Sequence, residues 1–291
     1  AARRERDAGQ RVLFTSLNEN LLSFLQHQPD LGNIDFRPWN ALTGEYDFVI
    51  LDEAQDCIDA ETPRKLSALL GRSWDTGRWL ICLDPNGQAN VGGKLDSDSL
   101  DILVAKSISL RLSLNCRNTG VILSQTKWAT GADIGVTGTG HGPLVTWCSV
   151  TDARSEAQAL VRHLENLIGN EGLRLSDITI LDIGDGRRTL EELPRQWVSK
   201  MHPLTPALVK DWTNRPITIA RVADFKGLEN TAICVIGARS LSNLTTPVNY
   251  LYVAMTRALS HLWVGTTDEL GAMIENGTQG DTDGDRQGTD N

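Results

Sequence analysis

The chain has 291 residues, enough for one large or two medium domains, and 40% of them are hydrophobic, enough for a substantial core. No apolar run approaches the roughly 20 residues of a membrane-spanning helix, and the charged N-terminus lacks the apolar stretch of a signal peptide. The net charge of −9 is concentrated near the C-terminus, since residues 268–291 hold seven acidic residues and one Arg. Composition therefore excludes a mainly disordered chain and shows no global basic surface that would indicate a nucleic-acid partner.

The cysteines indicate the redox compartment. There are five of them, at positions 57, 82, 116, 148 and 234, an odd number in which no two have CxxC spacing. This pattern predicts free thiols in a reducing compartment, here the cytoplasm, and argues against a disulfide framework or a zinc site.

The first third of the chain alternates between helical and strand patterns. Two of the strands end in acidic residues, Asp52 and Asp84. A short apolar run that ends in carboxylates is typical of a buried parallel strand with a site at its carboxyl end. The predicted order is helix 1–9, strand 11–16, helix 18–28, strand 48–51, helix 63–70 and strand 79–83. This alternation predicts an α/β fold.

A second α/β series follows a glycine-rich stretch at residues 131–143. That stretch contains GxG fragments but opens no helix, so a plain loop is favoured over a dinucleotide site. Residues 271–291 are almost free of apolar side chains and are predicted to be disordered. The remaining predicted strands are 144–147, 178–181, 217–220, 232–236 and 261–265, with helices at 155–169 and 249–259.

The most informative local feature is the carboxylate pair Asp52 and Glu53, directly after a predicted strand. One carboxylate there suits Mg²⁺, which takes few protein oxygens and keeps much of its hydration. The other suits a general base that orients and deprotonates an attacking water. An isolated pair has an ordinary alternative, a solvated helix N-terminus where acidic residues interact favourably with the helix dipole.

The pair is not isolated. Residues 46–56, YDFVILDEAQD, resemble the Walker B element of superfamily 1 helicases of the UvrD/Rep kind. Over residues 1–265 the other motifs follow in family order, and FKGLE and NCRNT are most similar to a compact branch found beside nuclease-related domains. These motifs are RVLFTSLN at 11–18, LDPNGQ at 83–88, LNCRNT at 114–119, FKGLE at 225–229 and YVAMTRA at 252–258.

This resemblance implies the P-loop NTPase fold, with two RecA-like parallel-sheet domains at residues 1–110 and 111–267 and a disordered acidic tail at 268–291. The implied activity is that of an ATP-dependent DNA helicase or translocase in the cytoplasm. The implied cofactors are ATP and Mg²⁺. The implied partners are single-stranded or partly duplex DNA and a nuclease domain or subunit, with no membrane.

The resemblance also assigns catalytic roles residue by residue. Asp52 would hold Mg²⁺, Glu53 would activate water and Gln88 would sense the γ-phosphate. Arg117 and Arg257 would act as arginine fingers from the second domain, where two cationic forks suit a phosphoryl group with delocalised charge. Taken singly, Gln88 could finish a turn, Arg117 could pair with a local carboxylate and Arg257 could be an ordinary exposed helix residue.

Four further residues are assigned to binding. Gly227 and Glu229 would contact the nucleotide, with Glu229 at the ribose. Asn18 and Lys226 would contact nucleic acid. The ordinary alternative for Lys226 and Glu229 is a solvent-facing charged pair.

The sequence departs from the family at the phosphate loop, because residues 1–291 contain no GxxxxGK[ST]. The nearest stretch, residues 92–95, has Gln88 in place of the first Gly and Leu95 in place of the hydroxyl residue, and it follows the third motif. In the family the loop precedes the strand represented by residues 11–16. The chain is therefore expected to start just after the loop, with a truncated first domain that is inactive alone.

Two other departures from the family concern the stacking of adenine and the size of the inserted subdomain. Cys116 stands where relatives often place an aromatic residue that stacks on adenine. Only 33 residues separate Asn18 from Asp52, too few for the large inserted subdomain of longer relatives.

Two rival interpretations of the chain's function remain beside the helicase. One is an ATP-independent single-strand clamp, and the other is a regulatory subunit of a nuclease or defence complex.

Overall fold

A computed structural model describes residues 1–84, 86, 91–93, 95–137, 139–239, 244, 246–268 and 270–271. The described chain divides into two compact units. The first unit is Ala1–Arg111 together with Thr205–Trp212. The second is Leu112–Leu204 together with the chain from Thr213 onward. The functional domain boundaries inferred from the resemblance stay a prediction.

The first unit is built on a four-stranded parallel sheet with strand order β2-β1-β3-β4. Its strands are β1 (Val12–Ser16), β2 (Asp35–Pro38), β3 (Phe48–Leu51) and β4 (Trp79–Ile81). Its helices are α1 (Ala2–Asp7), α2 (Glu19–Gln26), α3 (Thr62–Leu70) and α4 (Ser97–Ala105). Every strand of this sheet therefore ends at the same edge.

The core of the first unit forms because β1 and β3 are apolar on both faces. Leu13, Val49 and Leu51 are fully buried, and Leu66 and Leu69 of α3 pack in the same cluster. A strand buried on both faces has a continuous apolar sequence, as residues 48–51 do. This core fixes the carboxyl ends of the central strands, where the predicted site lies.

The second unit contains a six-stranded parallel sheet with strand order β7-β12-β11-β8-β10-β9, and β5 and β6 form a separate parallel ladder. Its strands are β5 (Leu114–Asn115), β6 (Val136–Thr137), β7 (Thr146–Ser149), β8 (Ile178–Asp182), β9 (Met201–Pro203), β10 (Ile217–Arg221), β11 (Asn230–Ile236) and β12 (Ala258–Thr266). Its helices are α5 (Gly120–Thr130), α6 (Ala153–Gly169), α7 (Gly186–Glu191), α8 (Arg195–Val198) and α9 (Pro247–Thr256). The predicted α/β class with parallel sheets is confirmed.

Helix α6 covers the second sheet. Its N-terminus has a capping box, in which Asp152 Oδ1 accepts from the Ser155 backbone N–H at 2.7 Å and Ser155 Oγ accepts from the Asp152 N–H at 3.0 Å. Its apolar face, with Leu160 and Leu164, packs in one cluster with Trp263 and the central strands. Capping and apolar periodicity thus agree on where this helix starts and which face it buries.

Residues 205–212 belong to the first unit although they lie between two strands of the second, β9 and β10. Ser23 Oγ in α2 donates to the Pro206 carbonyl oxygen at 2.8 Å. The rings of Phe24 and Trp212 meet edge to face at 5.3 Å, and Val209 is buried. We call residues 205–212 the returning segment.

Two expectations drawn from composition can be compared with the structure. All five cysteines are free, as predicted. Burial raises the pKa of the Cys57 and Cys234 thiols to about 12, so both remain protonated.

Within the described ranges, no helix is long and apolar enough to cross a membrane. The predicted disorder of residues 271–291 falls, beyond Gly271, outside the described residues.

Candidate functional site

The predicted carboxylate pair lies at the carboxyl edge of the first sheet. The Asp52 N–H donates to the Thr15 carbonyl of β1 at 2.9 Å. On the other side, the Ala54 N–H donates to the Cys82 carbonyl beyond β4, also at 2.9 Å. Backbone bonds to both neighbouring strands therefore fix Asp52 and Glu53 at the edge, and both side chains are partly accessible.

Glu53 has a strained backbone. Its φ of 51° lies in the left-handed region, which Asn33 is the only other described non-glycine residue to adopt. This conformation costs a residue with a Cβ roughly 1 kcal/mol and is concentrated at functional sites, where the surroundings hold it in place. The Asp52 carboxylate contributes, because its Oδ1 accepts from the Glu53 N–H at 3.0 Å.

A buried glutamine holds the Glu53 carboxylate. Gln55 is fully buried, and its Nε2 donates to Glu53 Oε2 at 2.6 Å. Its Oε1 accepts from the Asp84 N–H at 3.1 Å, at the start of the third motif. One amide thus joins the Glu53 carboxylate to the segment after β4. The sequence reasoning missed Gln55, although an amide inside DEAQD, two residues after Glu53, was an available signal.

The carboxyl edge of the first sheet supplies part of the ligand set that a magnesium ion needs. Mg²⁺ binds through one or two carboxylates and completes its shell with waters and substrate phosphates. Asp52 supplies such a carboxylate. In the described residues no group of three or more His, Cys, Asp or Glu could hold a metal by itself. Burial, then the charges of Asp52 and Glu53, raise the pKa of the nearby Cys82 thiol to about 11.

Two other predicted residues of the first unit are placed differently. Asn18 is the N-cap of α2, and its Oδ1 accepts from the N–H groups of Asn20 at 2.9 Å and Leu21 at 3.2 Å. The capping bonds give Asn18 a structural role whether or not it contacts nucleic acid. Gln88, predicted to sense the γ-phosphate, lies outside the described residues.

In the second unit, three motifs that are distant in sequence converge. Asn118 is buried, and its Nδ2 donates to the carbonyls of Thr256 at 3.0 Å and Ala258 at 2.6 Å. The Asn230 N–H donates to the Arg257 carbonyl at 3.1 Å. The segments with Arg117, Glu229 and Arg257 are therefore held together at the junction of α9 and β12.

Arg117 and Glu229 are brought into direct contact. Arg117 Nε lies 2.5 Å from Glu229 Oε2, and each side chain is 43% exposed. The turn that presents Arg117 is fixed by Asn115, whose Oδ1 accepts from the N–H groups of Arg117 at 2.9 Å and Asn118 at 3.0 Å. The pairing matches the local-carboxylate alternative for Arg117, and the carboxylate is itself a predicted site residue.

Arg257 and Lys226 are buried, so the alternatives that placed them in solvent are wrong. Arg257 is 3% exposed and follows the last residue of α9; its Nε donates to the Val253 carbonyl at 3.2 Å and its Nη2 to Thr256 Oγ1 at 3.1 Å. Lys226 is 2% exposed. Next to it, Gly227 turns the chain with a φ of +74°, which favours glycine.

Comparison with known proteins adds little. Neither a protein-family model nor a curated protein matches the sequence. Among solved structures, the chain is similar to the C-terminal domain of a possible DNA helicase from Lactobacillus plantarum WCFS1, with 17% identity and a TM-score of 0.39. The match covers 55% of this chain and 94% of that domain. The likeness is too distant for any conclusion about family or activity to rest on it.

Proposed function

We propose that the chain is part of an ATP-dependent motor on DNA, a helicase or translocase of the superfamily 1 kind. The observation that carries this proposal is the edge of the first sheet, where a strained Glu53 stands beside Asp52 and is held by buried Gln55. A general base must be held in a fixed position relative to the attacking water. The contacts of Glu53 with Asp52 and Gln55 hold its carboxylate in such a position. The convergence of motifs in the second unit supports the same proposal.

The first unit would carry the hydrolytic groups. Asp52 would hold Mg²⁺, which when bound neutralises charge on the phosphates. Glu53 would accept a proton from the attacking water, and Gln55 would keep its carboxylate oriented. Gln88 is proposed to sense the γ-phosphate from the segment that begins at Asp84.

The second unit would supply positive charge. Arg117 and Arg257 would stabilise the phosphoryl group in the transition state, with Gly227 and Glu229 at the nucleotide and Lys226 at nucleic acid. Arg117 would first have to leave Glu229. An ion pair this exposed contributes only about 0–1 kcal/mol, so exchanging the carboxylate for a phosphate costs little.

The backbone cradle for phosphates is not encoded in residues 1–291, which gives a test by turnover. Purified 1–291 is expected to show no appreciable ATPase activity. A version extended by a strand, a GxxxxGK[ST] loop and a helix ahead of Ala1 is expected to hydrolyse ATP with Mg²⁺, faster with single-stranded DNA. Glu53→Gln in the extended version should abolish turnover while ATP still binds.

The matched control for that variant is Glu61→Gln, an exposed acidic residue of the same unit, which should leave turnover unchanged. Robust, Mg²⁺-dependent turnover by 1–291 itself, lost in Glu53→Gln, would contradict the prediction.

A binding module is the second candidate, favoured by the burial of Arg257 and Lys226 and by the pairing of Arg117. Such a module would clamp single-stranded DNA, or regulate a nuclease partner, without ATP. Its signature is an affinity for oligo(dT) that is the same with and without ATP, together with no ATP photo-cross-linking in the extended version.

A further inference from the structure

A groove on the second unit lies between two short consecutive helices, α7 and α8. Its volume is about 610 Å³, and its lining comes from both helices and the connection between them. Clefts of roughly 300–1,000 Å³ are the usual size of binding sites. The apolar part of the lining is Leu190, Leu193 and Val198. We call this feature the α7–α8 groove.

The core of the second unit fixes this apolar lining. Leu193 is 7% exposed and belongs to the core cluster, and Leu190 packs against that cluster. Val198 is 49% exposed and follows Trp197, which is buried in the same cluster. The lining therefore keeps its shape without an occupant, so binding has to order few side chains of this chain.

The charge around the groove is opposite to that of the whole chain. Residues 187–200 hold four basic and two acidic side chains, a net charge of +2, whereas the chain has a net charge of −9. Arg187 Nε lies 3.0 Å from Glu191 Oε1 in a pair whose side chains are 86% and 61% exposed. Exchanging that carboxylate for another costs little. Arg195 is exposed and forms no ion pair with any residue that the structure describes.

The lining favours a polypeptide over a nucleic acid. Single-stranded nucleic acids are bound by stacking their bases on aromatic side chains. None of the side chains that line the groove is aromatic. Aliphatic lining beside arginines instead suits aliphatic side chains flanked by carboxylates. Both walls are helices, whose backbone groups bond internally, so the groove offers side-chain contacts and no ladder for an added strand.

We propose that an acidic amphipathic helix of a partner polypeptide docks in the α7–α8 groove. Its aliphatic side chains lie on Leu190, Leu193 and Val198, and its carboxylates face Arg187 and Arg195. Six residues of α7 extend over about 9 Å. A docked helix presents its anchors i, i+4 and i+7 over a similar length, about 10 Å. This inference is independent of ATP and DNA.

The test uses the full chain and the fluorescein-labelled peptide acetyl-SEELAELLEALEA-amide, which places its leucines on one helical face. The control peptide, acetyl-SELALEELALEEA-amide, has the same composition with its leucines distributed around the helix. We expect only the first to bind saturably in fluorescence anisotropy and to slow hydrogen exchange at amides 187–193 and 195–199. Its affinity should fall as salt rises, because exposed charges are screened.

Two variants probe the two parts of the groove. Val198→Glu should weaken peptide binding about tenfold or more, since it removes apolar contact and places a like charge opposite the peptide. Leu144→Glu is its matched control, because Leu144 is 80% exposed in the same unit and does not line the groove. Arg195→Glu should weaken binding similarly, whereas Lys127→Glu, at an exposed position of α5, should not.

Four outcomes would overturn the proposal. The first is no saturable binding and no protection of these amides at millimolar peptide. The second is equal binding of the control peptide, which would indicate general stickiness. The third is displacement of the peptide by oligo(dT) whose own binding is lost in Val198→Glu, which would make nucleic acid the occupant. The fourth is the same protection without peptide as the dimer fraction rises, which would make a second copy the occupant.

Discussion

The ion pair between Arg117 and Glu229 is half exposed, so it contributes little to folding and leaves the guanidinium available for another anion. In an ATP-hydrolysing, extended version we expect Arg117→Ala to lower kcat roughly 10³-fold, as for an arginine finger, with a much smaller effect on ATP binding. The melting temperature should barely change. Steady-state kinetics and nucleotide titration would measure the two effects.

Arg187→Ala is a suitable comparison, because Arg187 forms an exposed pair with Glu191 at 3.0 Å in the same unit; it should alter neither kcat nor stability. Arg257→Ala should also lower kcat, but burial of Arg257 means that stability falls with it. Near-wild-type turnover of the Arg117 variant would remove that residue from the site.

Gln55 offers a prediction about stability that needs no ATP. Gln55→Leu removes both amide bonds and leaves the Asp84 N–H and the Glu53 carboxylate without them. We expect the free energy of unfolding to fall by about 1–3 kcal/mol, the net contribution of two hydrogen bonds of which one goes to a charged group. Urea unfolding would measure it. Gln28→Leu, in the partly exposed position beside α2, should cost under about 1 kcal/mol; equal losses would argue against a special role for Gln55.

The site residues show which side chains a sequence can assign. The position of Asp52 and Glu53 was predictable because a carboxylate pair directly after a buried apolar strand lies at the carboxyl edge of the sheet. Burial of Lys226 and Arg257 was not, because it depends on segments far away in sequence, such as Asn118 reaching Thr256 and Ala258. Motif order indicated that these segments belong together but not how their side chains are packed.

At the scale of elements, α6 and β12 form a pair with a titratable contact. His163 of α6 stacks on Trp263 of β12 with ring centroids 6.0 Å apart. Burial, then the nearby His261, lowers the pKa of His163 to about 4. His163 is therefore neutral in the folded protein at a pH where the unfolded chain binds a proton, so stability falls as pH drops from about 6.5 towards 4.

The variant His163→Phe keeps an aromatic ring and removes this titration. We expect wild type to lose about 1–2 kcal/mol more than the variant between about pH 7 and about pH 4.5, a value reduced for partial exposure of the ring. Tryptophan-monitored urea unfolding at both pH values would measure it. His27→Phe, an exposed position, should track wild type; if His163→Phe does so as well, the contact is not the sensor.

Most elements were predictable, and the missed ones have physical reasons. Strand β3 was predicted at residues 48–51 and helix α3 at 63–70, because apolar runs and periodicity are unambiguous there. Strand β2 was missed because a protected edge is polar. Helix α5 was missed because it begins with glycine and then has three consecutive apolar residues, all buried, which obscures a helical period.

At the scale of the molecule, charge is distributed unevenly along the chain. The seven acidic residues and one Arg from Asp268 onward should repel phosphate at low salt and be screened at physiological salt, where the Debye length is ~8 Å. Cutting after Gly271 should leave the melting temperature unchanged and tighten oligo(dT) binding at low ionic strength. Thermal unfolding and fluorescence anisotropy would test this; a marked fall in stability or loss of DNA binding would show that the removed residues pack on the body.

The returning segment is translated long after the rest of the first unit. The first unit includes residues 205–212, which the ribosome makes about 100 residues after Arg111. At about 5–20 residues per second, that delay is roughly 5–20 s. Until then the ring of Phe24 lacks Trp212 and Ser23 lacks the Pro206 carbonyl. The nascent first unit therefore lacks these contacts while residues 112–204 are translated, and a protein that ends at Arg111 lacks them altogether.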